Sequence, residues 1–297
     1  MFLQKLLVWL SDGVAAFLGS QPMRSYYHLW LACLVIFGPL LQFHVNPRLI
    51  FANKRNYFHV RLVESAWSWT LLLTGGYLLL LAYLSSGSLL TTLRHFSRLT
   101  VGTGLRLLCD RAFSWLEAAT GSCFRPTAQG LLLLSEPLDR DGCLRQGHVW
   151  LGYRVSAESF LLTYASLVLA EELSAFKPYL RLRFPAGAPL RLLYLLAATL
   201  LLLWNALLLA SVVFFHQYSQ KIVAAGCAQL CWHLTYRRWY LTRYSPPAPT
   251  HDLLLLLLLL RPGSGPHPRP GRRCVCGAGA GGEVSWESTT ETLLCRE

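Results

Sequence analysis

The apolar residues of this chain gather into long blocks parted by short basic or turn-forming connections. Each block approaches the roughly 20 residues that carry an α-helix across a bilayer's hydrocarbon core. The first strong one, His28 to His44, is short for a span and holds Pro39, which a membrane helix tolerates as a kink. The second, Ala66 to Leu84, has Trp67 and Trp69 at one end and Gly75-Gly76 inside. The third, Leu89 to Phe113, is weakened by Arg94, His95, Arg98 and Arg106, of which Arg98 and Arg106 need polar partners or a cavity. The fourth, Gly152 to Phe176, opens on Ser156-Ala157-Glu158 and closes on Glu171-Glu172. Leu190 to Phe215 is the most apolar block, and a sixth runs from His216 to Tyr236. The pattern predicts an all-α polytopic membrane protein with about six transmembrane helices in residues 25–245.

What lies outside these blocks is shorter or more polar. Residues 1–24 read as one interfacial helix on the cytosolic side, since Asp12 interrupts the apolar core that a signal peptide would need. The Val45–Val63 connection interleaves Arg48, Lys54, Arg55 and Arg61 with Phe51, Tyr57 and Phe58. That mixture suits aromatics at headgroup level, with a phosphate-reading surface as the alternative. Residues 114–155 form a long polar loop whose Cys123 and Cys143 can pair if it faces an oxidising lumen. Cys33, Cys109, Cys227 and Cys231 lie in apolar surroundings and read as packing residues. From residue 246 Gly, Pro and Arg dominate, apart from an eight-leucine run too short to span, and residues 246–297 read as a disordered tail without assigned chemistry.

Composition supports the membrane reading. Hydrophobic residues make up 54% of the chain and charged residues 14%, where a soluble domain has about a quarter. The net charge of +12 comes from basic residues that flank the spans, which argues against nucleic acid as a partner and for anionic membrane lipids. The Arg-rich connections at Lys177–Arg183 and Arg237–Arg243 fall on one side of a six-span arrangement, with both termini, and the positive-inside rule makes that side cytosolic. The Arg48–Arg61 connection breaks the rule. Glu158 and His216 then share the opposite side. Glu171 and Glu172 are expected to pair with Lys177 or Arg181 at the cytosolic end. Asn205 is expected to make an interhelical hydrogen bond, with glycerol hydroxyls as the alternative partner.

Four stretches carry a resemblance: IFGPLLQFHVNPR at Ile36–Arg48, GSCFRPTAQGLLL at Gly121–Leu133, ESFLLTYASLVLAEE at Glu158–Glu172 and FFHQYSQKIV at Phe214–Val223. Together they resemble the fat-storage-inducing transmembrane family over residues 24 to 245, and look closest to the first of its two vertebrate paralogues. The resemblance implies a six-span protein of the endoplasmic reticulum membrane with both termini cytosolic. It implies promotion of lipid-droplet formation by binding diacylglycerol and triacylglycerol, with no cofactor and no metal.

The second paralogue of that family is a fatty acyl-CoA diphosphatase similar to the lipid phosphatases, so acyl-CoA is an implied substrate of the alternative reading. There the fourth span carries a Ser-Gly-His type triplet at its lumenal mouth, and a second histidine opens the sixth span. One imidazole attacks phosphorus and the other protonates the leaving oxygen. His216 matches the nucleophile position, while Ser156-Ala157-Glu158 places Glu158 where the acid histidine is expected. A carboxylate there repels an anionic pyrophosphate, so loss or severe reduction of the diphosphatase is expected, with Glu158 as a substitute acid the alternative. Lys54 and Arg61 have the spacing of a Lys-six-Arg-Pro lipid-phosphatase motif, but Leu62 stands in place of proline, and no catalytic role is carried onto them.

Overall fold

The computed structural model describes residues 2–43, 57–127, 130–134, 139–214, 218–242 and 245–249. The fourth apolar block forms helix α7 (Ala157–Ser174), and the other helices are arranged around it. Over Ala157–Arg181, 94% of the most apolar stretch is buried within the protein. The corresponding values for the two other long apolar helices, α4 (Ala66–Ser86) and α9 (Ala188–Phe214), are 39% each. Helix α7 is apolar on every side because it meets protein on every side. It packs against α9, α4, α5 (Leu89–Thr120), α10 (Tyr218–Trp232), α2 (Gln21–Phe37) and α1 (Phe2–Leu18). Helices α4 and α9 instead turn apolar residues such as Leu72 and Leu202 to the outside.

Helices occupy all six predicted positions, but they do not all qualify as spans. Among the described residues, three helices can cross a membrane by length and composition, or up to four if the bent α1–α2 pair counts as one. Helix α5 falls short because Arg94, Arg98, Arg106, Asp110 and Arg111 dilute it. Helix α10 is 15 residues long, and a π-helical turn, His233–Arg238, then a 3-10 turn, Trp239–Leu241, carry the chain onward.

Three boundaries differ from the expected ones. The single interfacial helix over residues 1–24 is two helices, α1 and α2, that meet at 69°. Gly19 sits at the elbow, where a Cβ would lie 2.5 Å from Cβ of Lys177, so no larger residue fits. Ser20 then caps α2, its side chain accepting from the Met23 amide at 3.4 Å, with Pro22 in the first turn. The helix at the first predicted span consequently begins at Gln21, before His28. The fourth begins at Ala157, because Ser156 is its N-cap and accepts from the Ser159 amide at 3.3 Å.

The 114–155 loop is largely ordered. Helix α5 continues through it to Thr120, so its 32 residues rise about 48 Å, well beyond a hydrocarbon core. Strands β1 (Ser122–Thr127), β2 (Gly130–Leu133) and β3 (Val149–Leu151) follow, with the short helix α6 (Arg140–Arg145) between the last two. They form an antiparallel sheet in the order β2-β1-β3, with Arg125 opposite Leu132 and Cys123 opposite Trp150. Cys123 of β1 is disulfide-bonded to Cys143 of α6, and both are buried.

Candidate functional site

The two ends of α7 hold the polar groups that the sequence singled out. At its first turn the Ser156 hydroxyl also donates to the Ser159 hydroxyl at 3.0 Å. The Ser156 amide donates to the Gln220 carbonyl at 3.4 Å, so the mouth of α7 is tied to the start of α10. His216 lies four residues before Gln220 and outside the described residues, as do Lys54 and residues 44–56. The Glu158–His216 pairing is therefore carried below as a proposal.

Glu158 is half-buried and lines a cleft of about 360 Å³ between α5, α7 and the end of α3 (Tyr57–Glu64). Four carboxylates line this cleft, those of Glu64, Asp110, Glu117 and Glu158, with two guanidiniums, those of Arg106 and Arg154. Arg106 approaches Asp110 at 3.5 Å and Arg154 approaches Glu117 at 3.9 Å, so both cations already face acids. The wall holding Arg154 is pinned by a close contact. At Gly152 a Cβ would lie 2.1 Å from the Glu117 carbonyl oxygen, and that oxygen also accepts from the Trp150 indole at 3.2 Å. Arg61 pairs with Glu64 at 3.6 Å on the exposed surface and is not part of the cleft.

The other end of α7 is more tightly organised. Glu172 is fully buried and receives Nε and Nη2 of Arg98 from α5 at 2.9 and 2.7 Å, a bidentate pair. The Tyr236 hydroxyl donates to the same carboxylate at 2.8 Å. Nη1 of Arg98 donates to the Pro247 carbonyl and lies 2.9 Å from Nδ1 of His95, while the Tyr240 hydroxyl reaches the Arg98 carbonyl at 3.4 Å. Burial, then the Glu172 charge, raises the Tyr240 hydroxyl above its ordinary pKa. Glu171 pairs with Arg237 at 2.9 Å, and Arg237 also donates to the Arg24 carbonyl at 2.7 Å and lies over Trp232.

The expected pairing of Glu171 and Glu172 with Lys177 or Arg181 is therefore wrong. The chain breaks at Ala175 into a new short helix, α8 (Phe176–Arg181), which carries Lys177 to the Ala16 carbonyl at 3.3 Å. The need of Arg98 for a polar partner was legible, and Glu172, 74 residues away, meets it. With both oxygens of Glu172 engaged by Arg98 and Tyr236, this network ties helices together.

Asn205 of α9 makes the expected interhelical bond, donating to the Tyr27 hydroxyl of α2 at 2.8 Å. Cys109 and Cys231 have sulfurs 3.6 Å apart, while Cys227 is a free thiol in the same apolar region. Among the described residues no group of His, Cys, Asp or Glu is arranged to hold a metal ion.

A protein called fat storage-inducing transmembrane protein 1 from Homo sapiens is 49% identical to this chain over 259 residues, covering 84% of this chain and 88% of the relative. The Danio rerio protein of the same name is 37% identical over 270 residues, covering 86% and 93%. The chain belongs to the fat storage-inducing transmembrane family. A Xenopus laevis relative called acyl-coenzyme A diphosphatase FITM2 is 33% identical over 231 residues, covering 77% and 88%. No family model matches the chain, and no solved structure does. Relatives of this scaffold thus bear two names, one for fat storage and one for a diphosphatase. Of the four stretches that carried the family resemblance, one is α7 itself and another supplies β1 and β2.

Proposed function

We propose that this member of the fat storage-inducing family is a non-enzymatic endoplasmic reticulum membrane protein that binds diacylglycerol and triacylglycerol and promotes lipid-droplet formation. The observation that carries the non-enzymatic part is the Glu158 cleft. Transfer of a phosphoryl group needs cations against the equatorial oxygens. Here four carboxylates face two guanidiniums that approach acids of the same cleft. Among the described residues, the carboxylates that line it outnumber the guanidiniums that line it, and a pyrophosphate entering it meets them. The binding part rests on the relatives named for fat storage and on the apolar outer surfaces of α2, α4 and α9.

The same reading has both termini in the cytosol and six spans. The Cys123–Cys143 bridge at the Glu158 end suits an oxidising lumen, and Arg24, Arg237 and Arg238 at the other end suit the cytosolic side.

A second reading is favoured by the relatives named as acyl-coenzyme A diphosphatases. In it, His216 attacks a phosphorus of the pyrophosphate and Glu158, protonated, gives its proton to the leaving phosphate oxygen; water then releases the phosphohistidine. Turnover of acyl-CoA by the purified protein tests the two. The unaltered protein is expected to be inactive and Glu158→His to gain activity. Turnover by the unaltered protein that vanishes in His216→Ala would establish the second reading.

A further inference from the structure

Helix α1 carries a stripe of large apolar side chains that touches little of the protein. At the helical period, Phe2, Leu3, Leu6, Trp9, Leu10 and Phe17 fall within about 120° of its circumference. All six are exposed, Phe2 by 80%, Leu3 by 77% and Trp9 by 72%. Ser11, Ala15 and Leu18 lie roughly opposite and are buried, where the helix packs against α9, α7 and α8. Lys5 and Asp12 sit on an edge between the two sides and are the only charged side chains of α1, which therefore has no net charge.

The helix is fixed in place. Arg191 of α9 reaches the Asp12 carboxylate at 2.5 Å and also the Ser11 hydroxyl, and Lys177 donates to the Ala16 carbonyl at 3.3 Å. The close approach of Gly19 to Lys177 holds the elbow. Because α1 meets α2 at 69°, it lies nearer the bilayer plane than the bilayer normal wherever α2 crosses the membrane. The stripe also joins the outer surface of the bundle. Phe17 lines one groove of about 590 Å³ together with Tyr26 and Trp30 of α2 and Leu202 of α9, all exposed. An apolar patch of this extent is covered by lipid or by protein, and its continuity with those helices selects lipid. With no net charge on α1, burial of the stripe, not attraction to anionic headgroups, carries the interaction.

We infer that α1 is a wedge set into one leaflet, occupied on its apolar stripe by the acyl chains just beneath the headgroups, and that it draws the protein to membrane where that leaflet is convex. On a convex surface the headgroups spread, and the gaps accept side chains such as Phe2 and Trp9; on a concave surface the gaps close. That the leaflet is the cytosolic one rests on the topology proposed above.

The test uses the full chain, with a fluorophore at its C-terminus, in giant vesicles of dioleoylphosphatidylcholine from which narrow tubes are pulled. Protease removal of an N-terminal tag identifies molecules with α1 outside. With α1 outside, density on the tube relative to the vesicle should rise as the tube narrows, and with α1 inside it should fall. Leu3→Ser combined with Trp9→Ser, at two exposed positions, should abolish both trends with the helical content and melting by circular dichroism unchanged. Lys5→Gln should alter neither trend. Even distribution at every tube radius would overturn the inference. So would a trend that survives the serine pair, which would assign it to the shape of the bundle, or one that appears only when phosphatidylserine is added, which would assign it to charge. A tag protected from protease in sealed microsomes would overturn the cytosolic topology while leaving the curvature result standing.

Discussion

Arg98 and Glu172 meet face to face inside the protein, 1% and 0% exposed, and each is held by further partners. The pair joins α5 to α7, and through Tyr236, Tyr240 and Pro247 it also holds the segment that follows α10. Removing one member of such a pair leaves an uncompensated charge, at a cost of about 3–5 kcal/mol. Glu172→Ala should therefore lower the melting temperature by about 10 °C, read by tryptophan fluorescence in detergent. The double variant Arg98→Met, Glu172→Leu should recover most of that loss, because matched apolar side chains owe no desolvation. A single variant that melts with the parent would show that the pair contributes little.

The bridge between Cys123 and Cys143 closes a loop of 20 residues around β2 and α6. Constraining a loop of that size stabilises a fold by about 3 kcal/mol in the chain-entropy account. Mass spectrometry of the unreduced protein should find the linked peptides. Replacing both residues with serine should loosen the sheet, seen as faster proteolysis between β1 and β3, while α7 and α9 stay protected. Free thiols at both positions in protein taken from intact membranes would contradict the arrangement.

The acidic cleft has a salt signature. If acyl-CoA meets Glu64, Asp110, Glu117 and Glu158 as repulsive charges, its weak binding should strengthen as salt rises. The Debye length falls from about 30 Å at 0.01 M to about 8 Å at 0.15 M, which screens the repulsion. Glu158→Gln combined with Glu117→Gln should bind more tightly at 0.01 M and depend less on salt, measured with a fluorescent CoA thioester. Binding by the parent that instead weakens with salt would mean that cations dominate the site.

Much of this architecture was legible in the sequence, for reasons that also mark where legibility stops. Long apolar runs announce membrane helices because the hydrocarbon demands them, so Ala66–Leu84 and Leu190–Phe215 lie within a residue or two of α4 and α9. The elbow between α1 and α2 is marked in the sequence by Gly19, the cap Ser20 and Pro22. The fate of Glu171 and Glu172 was not legible, since nearby lysine and arginine suggest local pairs and only the folded chain brings Arg98 and Arg237 to them. The sheet of residues 122–151 escaped because four-residue strands such as Gly130–Leu133 carry no periodicity of their own. At the site itself, Glu158 could be placed at the mouth of α7, but the acids around it come from α3 and α5.

Gly152 tests whether that cleft depends on its neighbouring wall. Here the backbone of the chain approaching α7 lies so close to the end of α5 that a Cβ would sit 2.1 Å from the Glu117 carbonyl oxygen. The obstacle is backbone, so a rotamer change cannot relieve it. Gly152→Ala must push the two segments apart, breaking the Trp150 bond to the same oxygen and moving Arg154 from Glu117. Overpacking of this kind costs about 1–3 kcal/mol, and the lost hydrogen bond adds about 1 kcal/mol. The variant should release Trp150, seen as a red-shifted emission against a Trp150→Phe control, and raise proteolysis of the β1–β3 segment. Helix α7 should stay protected, because its N-cap, Ser156, lies beyond the displaced backbone and is tied to α10 through Gln220. An unchanged Trp150 signal in Gly152→Ala would show that the wall adapts without opening.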